Sequence, residues 1–168
     1  MWLAIASRRE VRDYADSPIP DDVQRRIMDA GRLAGSSKNS QPWRFVVVES
    51  PDVCEQLAGL VYEPENIRGA QLIVALAMSG KGPVSFDAGR CAQNMLLAAW
   101  GEGVGSCPNG MPDPDAVGAL LDLREGERPA IVLTFGYPAK PRDPSRKTAE
   151  EWSAGAGRKP LDELVDRA

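Results

Sequence analysis

The chain alternates between short apolar runs and longer stretches with helical spacing. Residues 44–49, 71–78 and 130–135 are dominated by consecutive apolar side chains. The pattern predicts a strand in each, and the unbroken apolar character of 71–78 predicts cover on both of its faces. Val23, Ile27, Ala30, Leu33 and Ala34 recur at helical spacing behind Pro20, Asp21 and Asp22, and Gly35 ends the run. Proline suits a first helical turn, and carboxylates suit its positive end. The longest predicted helix covers 85–100, with Cys91, Met95, Leu96 and Ala99 on one side and Gly101 after it. Shorter helices are expected at 51–59, 113–121 and 160–167, and a short strand or turn at 103–107. Residues 138–157 are polar, rich in proline, glycine and basic side chains, and carry no core signal. A stretch of that kind is usually functional or supported by a partner. Strands alternating with helices would by themselves indicate an α/β fold with a parallel sheet.

Composition narrows the function classes. The 168 residues fit one domain, and the net charge of −4 with a sequence pI near 5.0 gives no basic excess for nucleic acid or an anionic membrane. No apolar run is long enough to span a bilayer, and Arg8 and Arg9 follow only a few apolar residues, so the expected location is the cytoplasm. The three cysteines, Cys54, Cys91 and Cys107, form no C-x-x-C pair and read as buried thiols, with Cys107 in a glycine-rich turn the one that could stand near a site. The chain has no histidine. That removes the Ser-His-Asp triad, the Cys-His pair, the H-E-x-x-H zinc site and any histidine base within one chain. Carboxylate chemistry, lysine chemistry or a borrowed cofactor remains, and the cofactor fits best.

Several segments carry binding chemistry. Arg8, Arg9 and Arg12 lie within five residues, and in a helix Arg8 and Arg12 would share one face. Such a cluster is either a solvated charge patch or a clamp for a phosphate monoester. Ser36, Ser37, Asn39 and Gln41 precede Pro42 and Trp43 at the junction between a helix and an apolar strand. They read either as capping and turn residues or as donors for a planar, hydrogen-bonding ligand. The glycines at 101, 103 and 105 follow a helix rather than a strand and lack a correctly spaced third member, so the dinucleotide fingerprint fails there. Arg158 and Lys159 before Pro160 form a basic doublet.

Taken in order, these segments resemble the nitroreductase family of FMN-dependent oxidoreductases. Arg8-Arg9-Glu10-Val11-Arg12 is similar to the family's R-R-x-x-R segment, with Glu10 where serine is common. Residues 35–43 are similar to P-S-x-x-N-x-Q-P-W, with Gly35 in place of the proline. Residues 103–110 resemble the segment that lies over the isoalloxazine ring. The resemblance implies an α+β three-layer sandwich with helices around a central mixed, mainly antiparallel sheet, assembled as a homodimer. It also implies one domain over residues 1–168, with 138–168 as a C-terminal extension packing on the dimer partner.

The implied roles follow residue by residue. Arg8, Arg9, Arg12, Arg158 and Lys159 would meet the FMN phosphate and ribityl chain. Ser36, Ser37, Asn39 and Gln41 would contact FMN across the dimer interface, while Pro42 and Trp43 would be structural. Pro108, Asn109 and Gly110 would lie at the ring, with a backbone N–H of Asn109 or Gly110 at flavin N5. NAD(P)H would give hydride to the flavin, and a nitroaromatic or quinone would take it from the same site in ping-pong order, with no protein acid or base required. The short connection at 59–71 implies an open flavin face. Two alternatives use the same residues: a sister enzyme with another flavin chemistry (flavin fragmentation, substrate dehydrogenation or deazaflavin use), or a protein that binds flavin without turnover.

Overall fold

Every residue of strand β2 (Leu72–Met78) is buried, and the remainder of the sheet is arranged around it. Strands β1 (Trp43–Val47) and β4 (Arg128–Gly136) flank β2, and β3 (Gly105–Asn109) pairs beyond β4, giving the order β1-β2-β4-β3. All three pairings are antiparallel, with Val74 opposite Val47 on one side and Leu133 on the other. The only parallel pairing among the described residues is a single bridge between Glu10 and Ser106. The computed structural model describes residues 1–167, which form two compact units, Arg9–Arg142 and a smaller one made of Met1–Arg8 with the chain from Asp143 onward.

Side-chain alternation along β2 sorts the larger unit into two cores. Leu72, Val74, Leu76 and Met78 join one cluster with Ile27, Met95 and Phe135. Helices α2 (Asp21–Arg32) and α5 (Val84–Gly101) cover that face. Ile73 and Ala75 join the other, with Leu57, Ile67, Val117 and Val132, from α3 (Pro51–Ala58), α4 (Pro64–Arg68), α6 (Pro114–Leu120) and β4. The result is a three-layer α+β sandwich. Beyond β3, the chain after Arg9 is extended rather than helical: the Val11 N–H donates to the Ser106 carbonyl at 3.0 Å, and Val11 is only 5 % exposed. A Cβ at Gly105 would come within 2.7 Å of Val11, so glycine is what lets this strand lie so close.

The smaller unit holds α1 (Trp2–Ser7) packed on α7 (Ala149–Ala154). Thr148 and Glu151 form a reciprocal capping box at α7, with bonds of 3.2 and 2.7 Å, and the Trp152 indole N–H donates to the Pro144 carbonyl at 2.9 Å. This helix occupies a region whose sequence carries no core signal. The helix expected at 160–167 is instead a single 3-10 turn, Leu161–Glu163. Ala168, the last residue of the expected extension, lies outside the described residues.

An ion pair ties β1 to the turn before β4. The Arg44 guanidinium donates to both oxygens of Glu127, with Nε 2.8 Å from Oε1, and the Glu127 side chain is 9 % exposed. These bonds hold the Glu127 carboxyl at about 2, well below its usual 4.5. A depressed carboxylate contributes stability above the unfolded value, and that contribution disappears as the pH falls from 4.5 toward 2. Glu127→Gln should therefore cost about 1–3 kcal/mol at neutral pH. Urea unfolding of both proteins across the acid range should show that difference shrinking as Glu127 takes up its proton.

Candidate functional site

Those donors singled out by the sequence that belong to the larger unit gather at three places. In the larger unit, Arg9 and Arg12 lie on the extended segment that pairs with Ser106 at the outer edge of β3. Their shared face as helical neighbours of Arg8 is not formed, because Arg8 caps α1 with an extended ψ of 133° and belongs to the smaller unit. Arg12 is exposed and lines a cleft of about 180 Å³ with Glu10, Asp13, Lys140 and Arg142. Lys140 and Arg142 belong to no motif in the sequence. Arg158 and Lys159 are exposed in the smaller unit, just before the 3-10 turn.

Pro108, Asn109 and Gly110 stand at the far end of β3. The Asn109 side chain points inward and is 4 % exposed. Its Oδ1 accepts from Asn66 Nδ2 at 2.8 Å, and its Nδ2 lies 3.1–3.2 Å from the Cys107 carbonyl, the Val132 carbonyl and Thr134 Oγ1. The Tyr14 hydroxyl completes this network 3.1 Å from Thr134 Oγ1, and burial raises its phenol above the ordinary value. Cys107 is 1 % exposed within the same network, with its sulfur 3.8 Å from Asn66 Nδ2. Gly110 is left as the surface-facing end of the strand. Its carbonyl accepts from Tyr62 N–H at 3.2 Å, and its own N–H donates to no atom of the described residues. Tyr62, 68 % exposed, stands beside it in the connection between α3 and α4. That connection is not bare chain, since α4 turns Asn66 and Ile67 into the core.

The third place is the loop at 36–41, entering β1 from the opposite edge of the sheet. Lys38, Asn39 and Gln41 all have left-handed backbones, with φ of 53°, 55° and 49°. Asparagine accepts this region readily, whereas lysine and glutamine enter it at a cost. Local bonds shape the turn: Gln41 N–H donates to Ser36 Oγ at 2.8 Å, and Asn39 N–H donates to the Ser36 carbonyl at 3.1 Å. The hydroxyls of Ser37 and Ser40 and the Asn39 carboxamide have no partner among the described residues. Pro42 and Trp43 are structural: the Pro42 carbonyl accepts from Ser79 N–H, and Trp43 packs on the first core. At Gly35 the Arg90 guanidinium lies in the space a Cβ would take.

Sheet order separates these places. Both the 36–41 loop and Gly110 lie toward the end where β1 starts and β3 finishes, but on opposite edges. Three strand spacings put the two edges about 14 Å apart within one chain. Along the β3 edge, Gly110 is four residues beyond Ser106, about 13 Å at the rise of an extended strand. That edge therefore offers an amide donor at one end and the Arg9 and Arg12 segment at the other.

A four-stranded antiparallel sheet covered by helices on both faces, with arginine and amide groups along its edges, defines an α+β class, and the comparisons give the class its family. The sequence profile of the Nitroreductase family matches residues 5–79 and 66–137. The chain belongs to the nitroreductase family. It is 28% identical over 164 residues to a candidate NADH dehydrogenase/NAD(P)H nitroreductase of Methanothermobacter thermautotrophicus, covering 89% of this chain and 86% of that protein. A candidate nitroreductase from Desulfovibrio desulfuricans, solved in complex with FMN, superposes with a TM-score of 0.82 at 29% identity, covering 98% of this chain and 94% of that one. A nitroreductase family protein from Clostridium difficile shares the fold with a TM-score of 0.83 at 23% identity, covering 99% and 96%.

The Asn109 network makes a direct demand on stability. Asn109→Ala would leave Asn66 Nδ2 buried without its 2.8 Å acceptor. Loss of about 1–3 kcal/mol is expected, read as a lower urea midpoint at an unchanged slope.

Proposed function

We propose that this protein is an FMN-dependent oxidoreductase that takes hydride from NAD(P)H and passes it to an electron-poor acceptor such as a nitroaromatic or a quinone. Family membership supports the oxidoreductase class, and the names and ligand of its relatives support the nicotinamide donor and the flavin. The observation that carries the reading to particular residues is the set of donors left without partners among the described residues. These are Arg12, the Ser37 and Ser40 hydroxyls and the Asn39 carboxamide, all on exposed residues, and the Gly110 N–H. A phosphate monoester suits the guanidinium, and the carbonyl and nitrogen edge of a flavin ring suits the amides, so the residues present fit the group.

In this reading, Arg9 and Arg12 would hold the phosphate. The Gly110 N–H would serve as a donor to the flavin ring, and Asn39, Gln41, Ser36 and Ser37 would hold its polar edge. When bound, FMN supplies the redox chemistry, accepting hydride at N5 and giving it up to the second substrate. The chain's own contribution is orientation and donor placement. Cys107 lies too deep to act as a nucleophile, and the sequence offers no histidine.

The separation of about 14 Å between the two edges supports a site shared by two copies. One chain would supply the β3 edge, and its partner the 36–41 loop. Residues 138–168 would then pack on the partner, a role that suits the exposed apolar side chains of Leu161, Leu164 and Val165. Cytoplasmic action belongs to the same reading; among the described residues, no helix is long and apolar enough to cross a membrane.

Anaerobic titration of the FMN-supplemented protein with NADH and NADPH tests the proposal. Bleaching of the flavin band, reversed by a quinone or nitroaromatic, is the expected result. A bound flavin that stays oxidised would favour binding without turnover, and no bound flavin would reject the reading. Arg12→Ala should weaken FMN binding by about 1.5–3 kcal/mol, measured by fluorescence titration.

A further inference from the structure

Asp87 is a buried carboxylate that the proposed chemistry does not use. It sits in the first turn of α5 with 2 % of its surface exposed, next to the buried Ala88 and one turn before the buried Cys91. Its Oδ2 accepts the Ser37 N–H at 3.0 Å, and its Oδ1 lies 3.8 Å from the Arg90 guanidinium. A carboxylate this deep is tolerated only where donors answer it. One of its two partners is thus the backbone of the 36–41 loop.

That bond has no equivalent elsewhere in the loop. The other hydrogen bonds of 36–41 run between its own residues, so among the described residues the Ser37–Asp87 bond alone joins it to a distant element. The loop meanwhile carries three non-glycine residues in the left-handed region. Such backbones persist when surrounding structure determines them. Arg90 pairs with the same carboxylate and fills the space over Gly35, where the loop begins. Its guanidinium also lies 5.7 Å from the centre of the Phe86 ring. Gly35, Ser37, Asp87 and Arg90 therefore act as one clamp between α5 and the loop.

We propose that Asp87 is a positioning residue that fixes the 36–41 loop in its ligand-ready conformation, with Arg90 as its counter-ion. The assignment of that loop to FMN rests on the functional reading above. The bond can be removed from either side. Asp87→Ala deletes the acceptor, and Ser37→Pro deletes the donor at a position whose preceding residue is already extended, with Ser36 at φ −138° and ψ 160°. Ser37→Ala controls for the hydroxyl, and Ser37→Pro keeps the question open to experiment if Asp87→Ala fails to fold.

Two readouts on the purified full-length protein separate the possibilities. Lys38 is exposed within the loop, so trypsin cleavage after Lys38 in the absence of flavin reports loop order directly. Cleavage there should rise about tenfold in both variants, with the double variant little worse than either single one. FMN affinity should fall about tenfold in both variants, while in Asp87→Ala the rate of hydride transfer at saturating FMN stays within about twofold of wild type. Unchanged cleavage at Lys38 in both variants would overturn the proposal. So would faster cleavage with undiminished FMN affinity. If the wild-type protein binds no FMN, the functional reading fails, and the cleavage rates still decide whether Asp87 holds the loop.

Discussion

Burying a strand on both faces imposes two requirements at once, and β2 meets both. Each side chain must find an apolar neighbour above or below the sheet, and each backbone group must find a strand to either side. The alternating residues of 72–78 satisfy the first by feeding two separate cores, so helices are needed on both faces. Pairing with β1 and β4 satisfies the second. The outer strands are then β1 and β3, and the segments next to them carry the donors without a partner among the described residues. The position of the candidate site is in this sense a by-product of how the middle strand is covered.

Inside and outside that boundary, polar groups are treated in opposite ways. Asn66, Asn109, Thr134 and Tyr14 form a closed network with short bonds and little exposure. Such a network fixes where β3 ends and therefore where Gly110 sits. A few residues away, the Ser37 and Ser40 hydroxyls, the Asn39 carboxamide and the Arg12 guanidinium have no partner among the described residues. A rigid interior presenting unmatched surface donors is the arrangement expected of a binding site that loses little order on receiving its ligand.

Legibility in the sequence followed the length of the repeating pattern. Helices α2 and α5 and strands β2 and β4 were expected within a few residues of where they lie, because each offers enough positions for periodicity to register. Strand direction was not readable from apolar runs, and alternation alone pointed to the wrong, parallel sheet. Helices α1, α4 and α7 span only five or six residues each, too short for a stripe, and the T-x-x-E spacing of Thr148 and Glu151 went unread in a stretch expected to be irregular. The arginines near the start could be grouped by spacing, but not assigned an extended backbone, since that depends on Ser106, far away in the chain. Asp87 was hidden for a related reason. In sequence it is one polar residue near a helix start, and only the fold brings Ser37 to it. The left-handed backbones of Lys38 and Gln41 were equally invisible, since neither residue type favours that region.

The placement of the two sheet edges also bears on how the protein would behave in solution. If each site is completed by loops from two chains, cofactor occupancy and self-association draw on the same free energy. Dilution would then strip ligand as well as separate chains, and added ligand would pull dilute chains together. An affinity for such a protein would have meaning only at a stated chain concentration, a dependence that follows from β1 and β3 lying at opposite ends of a four-stranded sheet.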